Sequence, residues 1–76
     1  MILYLKNGCP WCEDAEQWLR QHQIAFTPVD VFSDPVSYAA MRKLSGQSKA
    51  PVLVTDDGRV LADFGSEELP EFLNIS

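Results

Sequence analysis

Met1-Ile2-Leu3-Tyr4-Leu5-Lys6-Asn7-Gly8-Cys9-Pro10-Trp11-Cys12 is the stretch on which the reading of the whole chain depends. Its first five residues are an apolar run suited to a short buried strand, and Lys6-Asn7-Gly8 is the turn that ends it. Pro10 suits the first position of a helix, where its missing N–H would be unpaired anyway. Cys9 then falls at the N-cap, facing free backbone N–H groups and the positive end of the helix dipole. That setting favours a thiolate, the form of cysteine that acts as nucleophile. Cys12 lies one turn on, along the face that Ala15 and Leu19 share, so it is expected to be the more buried thiol and to act second. No metal is expected: structural zinc takes four ligands, and His22 is the one other soft donor in the sequence. A Cys-x-x-Cys between a strand and a helix is the context of a redox dithiol.

The chain has 76 residues, enough for a single domain spanning 1–76. A domain of this size buries only about 60% of its unfolded surface, so its core must be economical. The net charge of −5 argues against a nucleic-acid partner, which calls for a basic face, and means that anionic substrates must meet local positive charge. No apolar stretch approaches membrane-spanning length. The five-residue apolar opening lacks a basic leader and a cleavage site, so no secretory signal is expected. A cysteine pair without such a signal fits a reducing cytoplasm, where pairs cycle rather than staple. The expected state is a monomer.

Downstream the pattern alternates. The first helix is expected over Pro10 to about Gln23, with Trp18 beside its inward stripe and His22 on the surface near its negative end. Ile24 to Val31 alternates loosely and predicts a second strand, which Pro28 places at a sheet edge. Asp34 caps a second helix with Pro35 in its first position, Val36, Ala40, Met41 and Leu44 facing inward, and Gly46 as its left-handed stop. Pro51 to Thr55 is a third strand, Asp56-Asp57-Gly58 a hairpin turn, and Arg59 to Asp63 the returning antiparallel strand. Ser66-Glu67-Glu68-Leu69 carries a capping signature for a short last helix; Pro70 either costs it one hydrogen bond or marks its true start. The order β-α-β-α-β-β-α predicts an α/β domain, three helices on a four-stranded mixed sheet whose first two strands are parallel.

This order, with Cys-x-x-Cys after the first strand and a proline opening the third, resembles the thioredoxin superfamily and, more narrowly, a small bacterial glutaredoxin. Tyr4 to Cys12 resembles the family's strand, lysine and Cys-Pro-aromatic-Cys. Ser45-Gly46-Gln47-Ser48-Lys49-Ala50-Pro51 resembles the loop that leads to its cis-proline. The resemblance implies that Pro51 is cis beside the dithiol and that Ala50 offers its backbone to a substrate peptide or glutathione. There are three departures. Lys49-Ala50-Pro51 stands for Thr-Val-Pro, Ala62-Asp63 stands where many members have Gly-Gly, and Phe64-Gly65-Ser66-Glu67 lacks the usual acidic pair. The Ala-Pro step and the Phe64 region resemble the redoxins that reduce ribonucleotide reductase and are recharged by thioredoxin reductase.

The expected activity is thiol–disulfide exchange on protein disulfides or glutathione mixed disulfides, with Cys9 attacking, Cys12 resolving, glutathione as co-substrate and no bound cofactor. The rivals are a redoxin fed by thioredoxin reductase and, in another class, an iron–sulfur carrier holding a cluster through Cys9 and glutathione. Lys6 is a candidate to stabilise the thiolate or bind a glutathione carboxylate, against the plainer reading of a solvated turn lysine. Trp11 is expected to wall the exposed side of Cys9. Gln47 and Lys49 are candidate partners of glutathione or a peptide, or simply solvated loop residues. Gly65, Ser66 and the amides that follow could form an anion site at a helix end. Ala62-Asp63 is expected to weaken glutathione binding, by charge and by narrowing the approach that glycines leave open.

Overall fold

The computed structural model describes residues 1–75. Its elements run β1 (Ile2–Leu5), α1 (Pro10–Gln21), β2 (Thr27–Asp30), α2 (Pro35–Ser45), β3 (Val52–Val54), β4 (Val60–Ala62), a 3₁₀ turn (Ser66–Glu68) and α3 (Leu69–Phe72). The expected order is thus observed: a four-stranded mixed sheet with three helices. Its strands lie β2-β1-β3-β4, with β1 parallel to β2 and antiparallel to β3, and β3 antiparallel to β4. Pro28, which has no N–H to donate, sits on the outer strand β2, where a missing donor is tolerated.

Alternation along the central strands sorts the core into two halves. Leu3 pairs with Leu53, and both face a cluster with Ala15 and Leu19 of α1, Phe64 and Leu69. Tyr4 pairs with Val52, and both face Val31 and Met41 of α2. The sheet is the middle of three layers, with α1 and α3 on one side and α2 on the other. Phe64 is the largest fully buried side chain and fills the first half from a loop, which is why the chain after β4 turns inward.

Two sequence expectations need correction. Val36 and Leu44 do not face inward: Val36 is 78% and Leu44 49% exposed, and Met41 alone on α2 is buried. With Met41 at the centre of the buried face, Val36 lies on the outward side of the first turn. The last helix is not opened by Ser66. Gly65 stands at the N-cap position of the 3₁₀ turn, where its N–H donates to the Glu68 carboxylate at 3.0 Å. Pro70 falls inside the first turn of α3, where no backbone donor is needed, so it marks the start of that helix.

Candidate active site

Cys9 is the N-cap of α1, with extended backbone angles (φ −93°, ψ 113°) and Pro10 in the first helical position. Gly8 before it has φ +81°, a left-handed angle that glycine adopts without a Cβ penalty and that swings the chain from β1 into the helix. The Cys12 N–H donates to Cys9 Sγ at 3.3 Å, so an end-of-helix donor lies on the sulfur. Cys9 is half-buried and Cys12 is buried, and neither forms a disulfide in this structure. Burial first, then hydrogen bonding with Cys9 and, to a smaller extent, the charge on Cys9 push the Cys12 thiol up to about 12, while a backbone hydrogen bond with Lys6 and the lysine charge act in the opposite direction. Cys12 is therefore held as a thiol at neutral pH.

Cys9 opens into a cavity of about 440 Å³ lined by Lys6, Trp11, Lys49, Ala50 and Asp63. Trp11 is 57% exposed and lines the cavity together with Cys9. Ala50 and Pro51 are joined by a cis peptide bond, and Pro51 is buried. Two loops thus meet at the cysteine. The Pro51 carbonyl accepts the Asp63 N–H at 3.0 Å, which brings the Ala62-Asp63 step beside the cis-proline. Asp63 adopts φ +51°, in the region that glycine tolerates best and aspartate more readily than most residues.

The structure brings together Cys9, Lys6, Trp11, Lys49 and Ala50 from the expected set, with Cys12 beneath and Pro51 behind. It leaves Gln47, Gly65 and Ser66 off the cavity wall. Gln47 is turned back on its own loop: its side-chain amide donates to the Lys49 carbonyl at 2.8 Å and to Ser45 Oγ at 3.2 Å, and its Oε1 accepts the Lys49 N–H. Its place is to shape the loop that carries Lys49 and Ala50. Asp63 was legible only as a departure from the family pattern, yet it contributes a carboxylate to the wall. The His22 Nδ1–H donates to the Trp18 carbonyl (2.9 Å) and the ring stacks on Trp18, as a surface residue at a helix end.

Residues 1–60 match the family profile described as glutaredoxin. The chain belongs to the glutaredoxin family. It is 32% identical over 71 residues to an uncharacterized glutaredoxin-like 8.6 kDa protein in the rubredoxin operon of Clostridium pasteurianum, covering 93% of each chain. It is 33% identical over 57 residues to the glutaredoxin-like protein NrdH of Lactococcus lactis, covering 75% of this chain and 78% of the relative. Among solved structures, a mutant of the thioredoxin-like protein BC3987 superposes with a TM-score of 0.87 at 28% identity, over 99% of this chain and 95% of that one. The chain is therefore a thioredoxin-fold redox protein of glutaredoxin and NrdH-like kind, with its cysteine pair at the start of α1. No helix among the described residues is long and apolar enough to cross a membrane.

Proposed function

We propose that this glutaredoxin is a dithiol reductant of protein disulfides, with Cys9 the attacking and Cys12 the resolving sulfur. The observation that carries the reading is the asymmetry of the pair: Cys9 opens into the cavity and accepts a helix-end N–H, while Cys12 is buried with its proton held up to about 12. Cys9 thiolate attacks one sulfur of the substrate disulfide; the other leaves as a thiolate and takes a proton from water. Burial is the leading cause that raises the Cys12 thiol; once Cys9 is in the mixed disulfide, the smaller contributions of its hydrogen bond and charge are gone. Cys12 then gives its proton to water, attacks Cys9 Sγ and expels the second substrate thiolate, leaving a Cys9–Cys12 disulfide. Two electrons have passed to the substrate. Such a pair turns over only where it is re-reduced, which supports a place in the cytoplasm.

Glutathione is the co-substrate we propose for that return step, held weakly. Lys6 and Lys49 offer its carboxylates positive charge, while Asp63 opposes them from the same wall. That carboxylate also favours a second reading, in which thioredoxin reductase recharges the pair and ribonucleotide reductase is a candidate acceptor; the likeness to NrdH supports it. A coupled assay comparing glutathione and its reductase with thioredoxin reductase as electron source separates the two. Under the first reading, Asp63→Gly should lower the glutathione concentration for half-saturation about fivefold, and the gain should shrink at high salt. Turnover with neither source contradicts both.

A further inference from the structure

The exchange cavity does not end at Lys6. The same side chain lines a second, shallower groove of about 270 Å³ with Val31, Phe32 and Tyr38. Phe32 stands 76% exposed in the turn Val31-Phe32-Ser33 between Asp30 and Asp34, beside the buried Val31. Its backbone N–H donates to Asp30 Oδ1 at 2.8 Å, which fastens the turn with the ring directed outward. With its ring outward, Phe32 adds open apolar surface to the groove alongside Val31 and Tyr38. Among its lining residues the groove has one charged side chain, Lys6, in a chain of net charge −5; Arg42 lies behind Tyr38, its guanidinium 5.9 Å from that ring centre, and Asp30 and Asp34 stand in the turn to either side of Phe32.

We propose that this groove seats an apolar or aromatic side chain of the disulfide-bearing protein, with an acidic residue beside it, while the substrate cysteine occupies the neighbouring cavity at Cys9. The inference rests on the dithiol reading above and names the chemistry of its substrate. Continuity through Lys6 puts the two sites on one surface, and Lys6, the charged residue that lines both, favours an acidic neighbour over a basic one. Glutathione has no apolar side chain to place there, so the groove distinguishes protein disulfides from glutathione disulfide.

The test is single-turnover reduction by the pre-reduced protein, followed by tryptophan fluorescence, which needs no electron source. The probes are short symmetric peptide disulfides with Phe-Glu, Phe-Lys or Ser-Ser at successive positions from the cysteine, and hydroxyethyl disulfide as a small control. We expect the best Phe-Glu peptide to react about tenfold faster than its Ser-Ser counterpart, and Phe32→Ala to remove that advantage. Phe32→Leu should keep most of it, and hydroxyethyl disulfide should react equally with all three proteins. Val36→Ser, a change at an equally exposed apolar residue outside the groove, should leave the peptide preference intact. The Phe-Glu over Phe-Lys preference should fade with salt. Equal rates for the Phe-Glu and Ser-Ser peptides, or a Phe32→Ala loss shared by hydroxyethyl disulfide, overturns the proposal. Failure of the wild type to reduce any probe sinks the dithiol reading, and this inference with it.

Discussion

The two long helices begin alike and are put to different uses. Each has a residue in extended conformation at the N-cap, Cys9 before α1 and Asp34 before α2, and each follows it with proline. In each, the capping side chain accepts a backbone N–H of the first turn: Cys12 to Cys9 Sγ at 3.3 Å, Val36 to Asp34 Oδ1 at 3.1 Å. At Asp34 a second donor, Ser37 Oγ, completes the set at 2.7 Å, and the exposed carboxylate is spent on holding the helix. At Cys9 the cap is a single long contact to a large, polarisable sulfur that faces a cavity, with a buried thiol behind it. The backbone device is the same. What differs is whether the capping atom can also make and break a bond, and whether a substrate can reach it.

Exchanging the caps gives the largest effect. Cys9→Asp supplies a good N-cap, so α1 and the melting temperature should be preserved, while disulfide exchange falls below detection. Retained exchange in that variant would move the chemistry away from Cys9. A smaller effect is expected at the partner thiol. In Cys9→Ser the charge and thiol contact that raise Cys12 are gone, so its titration, followed by ultraviolet thiolate absorbance, should fall from about 12. It should remain above an ordinary thiol, because burial is the leading cause.

At the other cap the expected losses are in stability alone. Asp34→Ala should lower the melting temperature by roughly 4–8 °C and leave hydroxyethyl disulfide exchange unchanged. Smallest is the pH effect. The Ser37 hydroxyl, then backbone N–H groups, hold the Asp34 carboxyl below its usual range. Its contribution is therefore complete above the unfolded value of about 3.9 and lost as pH falls through the lower folded value. Asp34→Asn, which still caps, should flatten that acid-side part of a melting-temperature profile and change nothing at neutral pH. Asp57, held low by the Thr55 hydroxyl and then by Arg59, contributes in the same direction, so the profile should not flatten completely.

Both caps were legible in the sequence because capping is local: the residue, the proline and the donor lie within four positions. The inward stripe Cys12, Ala15 and Leu19 was legible for a related reason, since α1 packs lengthwise on the sheet and its period is read against one surface. For α2 the same reasoning failed at Val36 and Leu44. Three strand or strand-end residues, Tyr4, Val31 and Val52, form the floor under Met41, and apolar spacing does not say which part of a helix meets a floor that small. Gln47 was left open between two roles because a polar loop side chain chooses between its own backbone and a ligand, and three atoms of its own loop engage it here. Asp63 and Phe32 depend on tertiary meeting points: the Pro51 carbonyl that draws Asp63 to the cysteine, and the lysine that joins the Phe32 groove to the cavity. The sequence signal at Phe32 was an aromatic residue next to the end of a strand, two places before a helix cap.

The claim on which all of this turns is the division of labour between two thiols one helical turn apart. Differential alkylation of the reduced protein with a small uncharged reagent, across a pH series and resolved by mass spectrometry, measures it directly. Cys9 should be modified at neutral pH with Cys12 spared, and Cys12 labelling should rise only as the pH climbs toward about 12. Labelling of Cys12 before Cys9 at neutral pH would contradict the account.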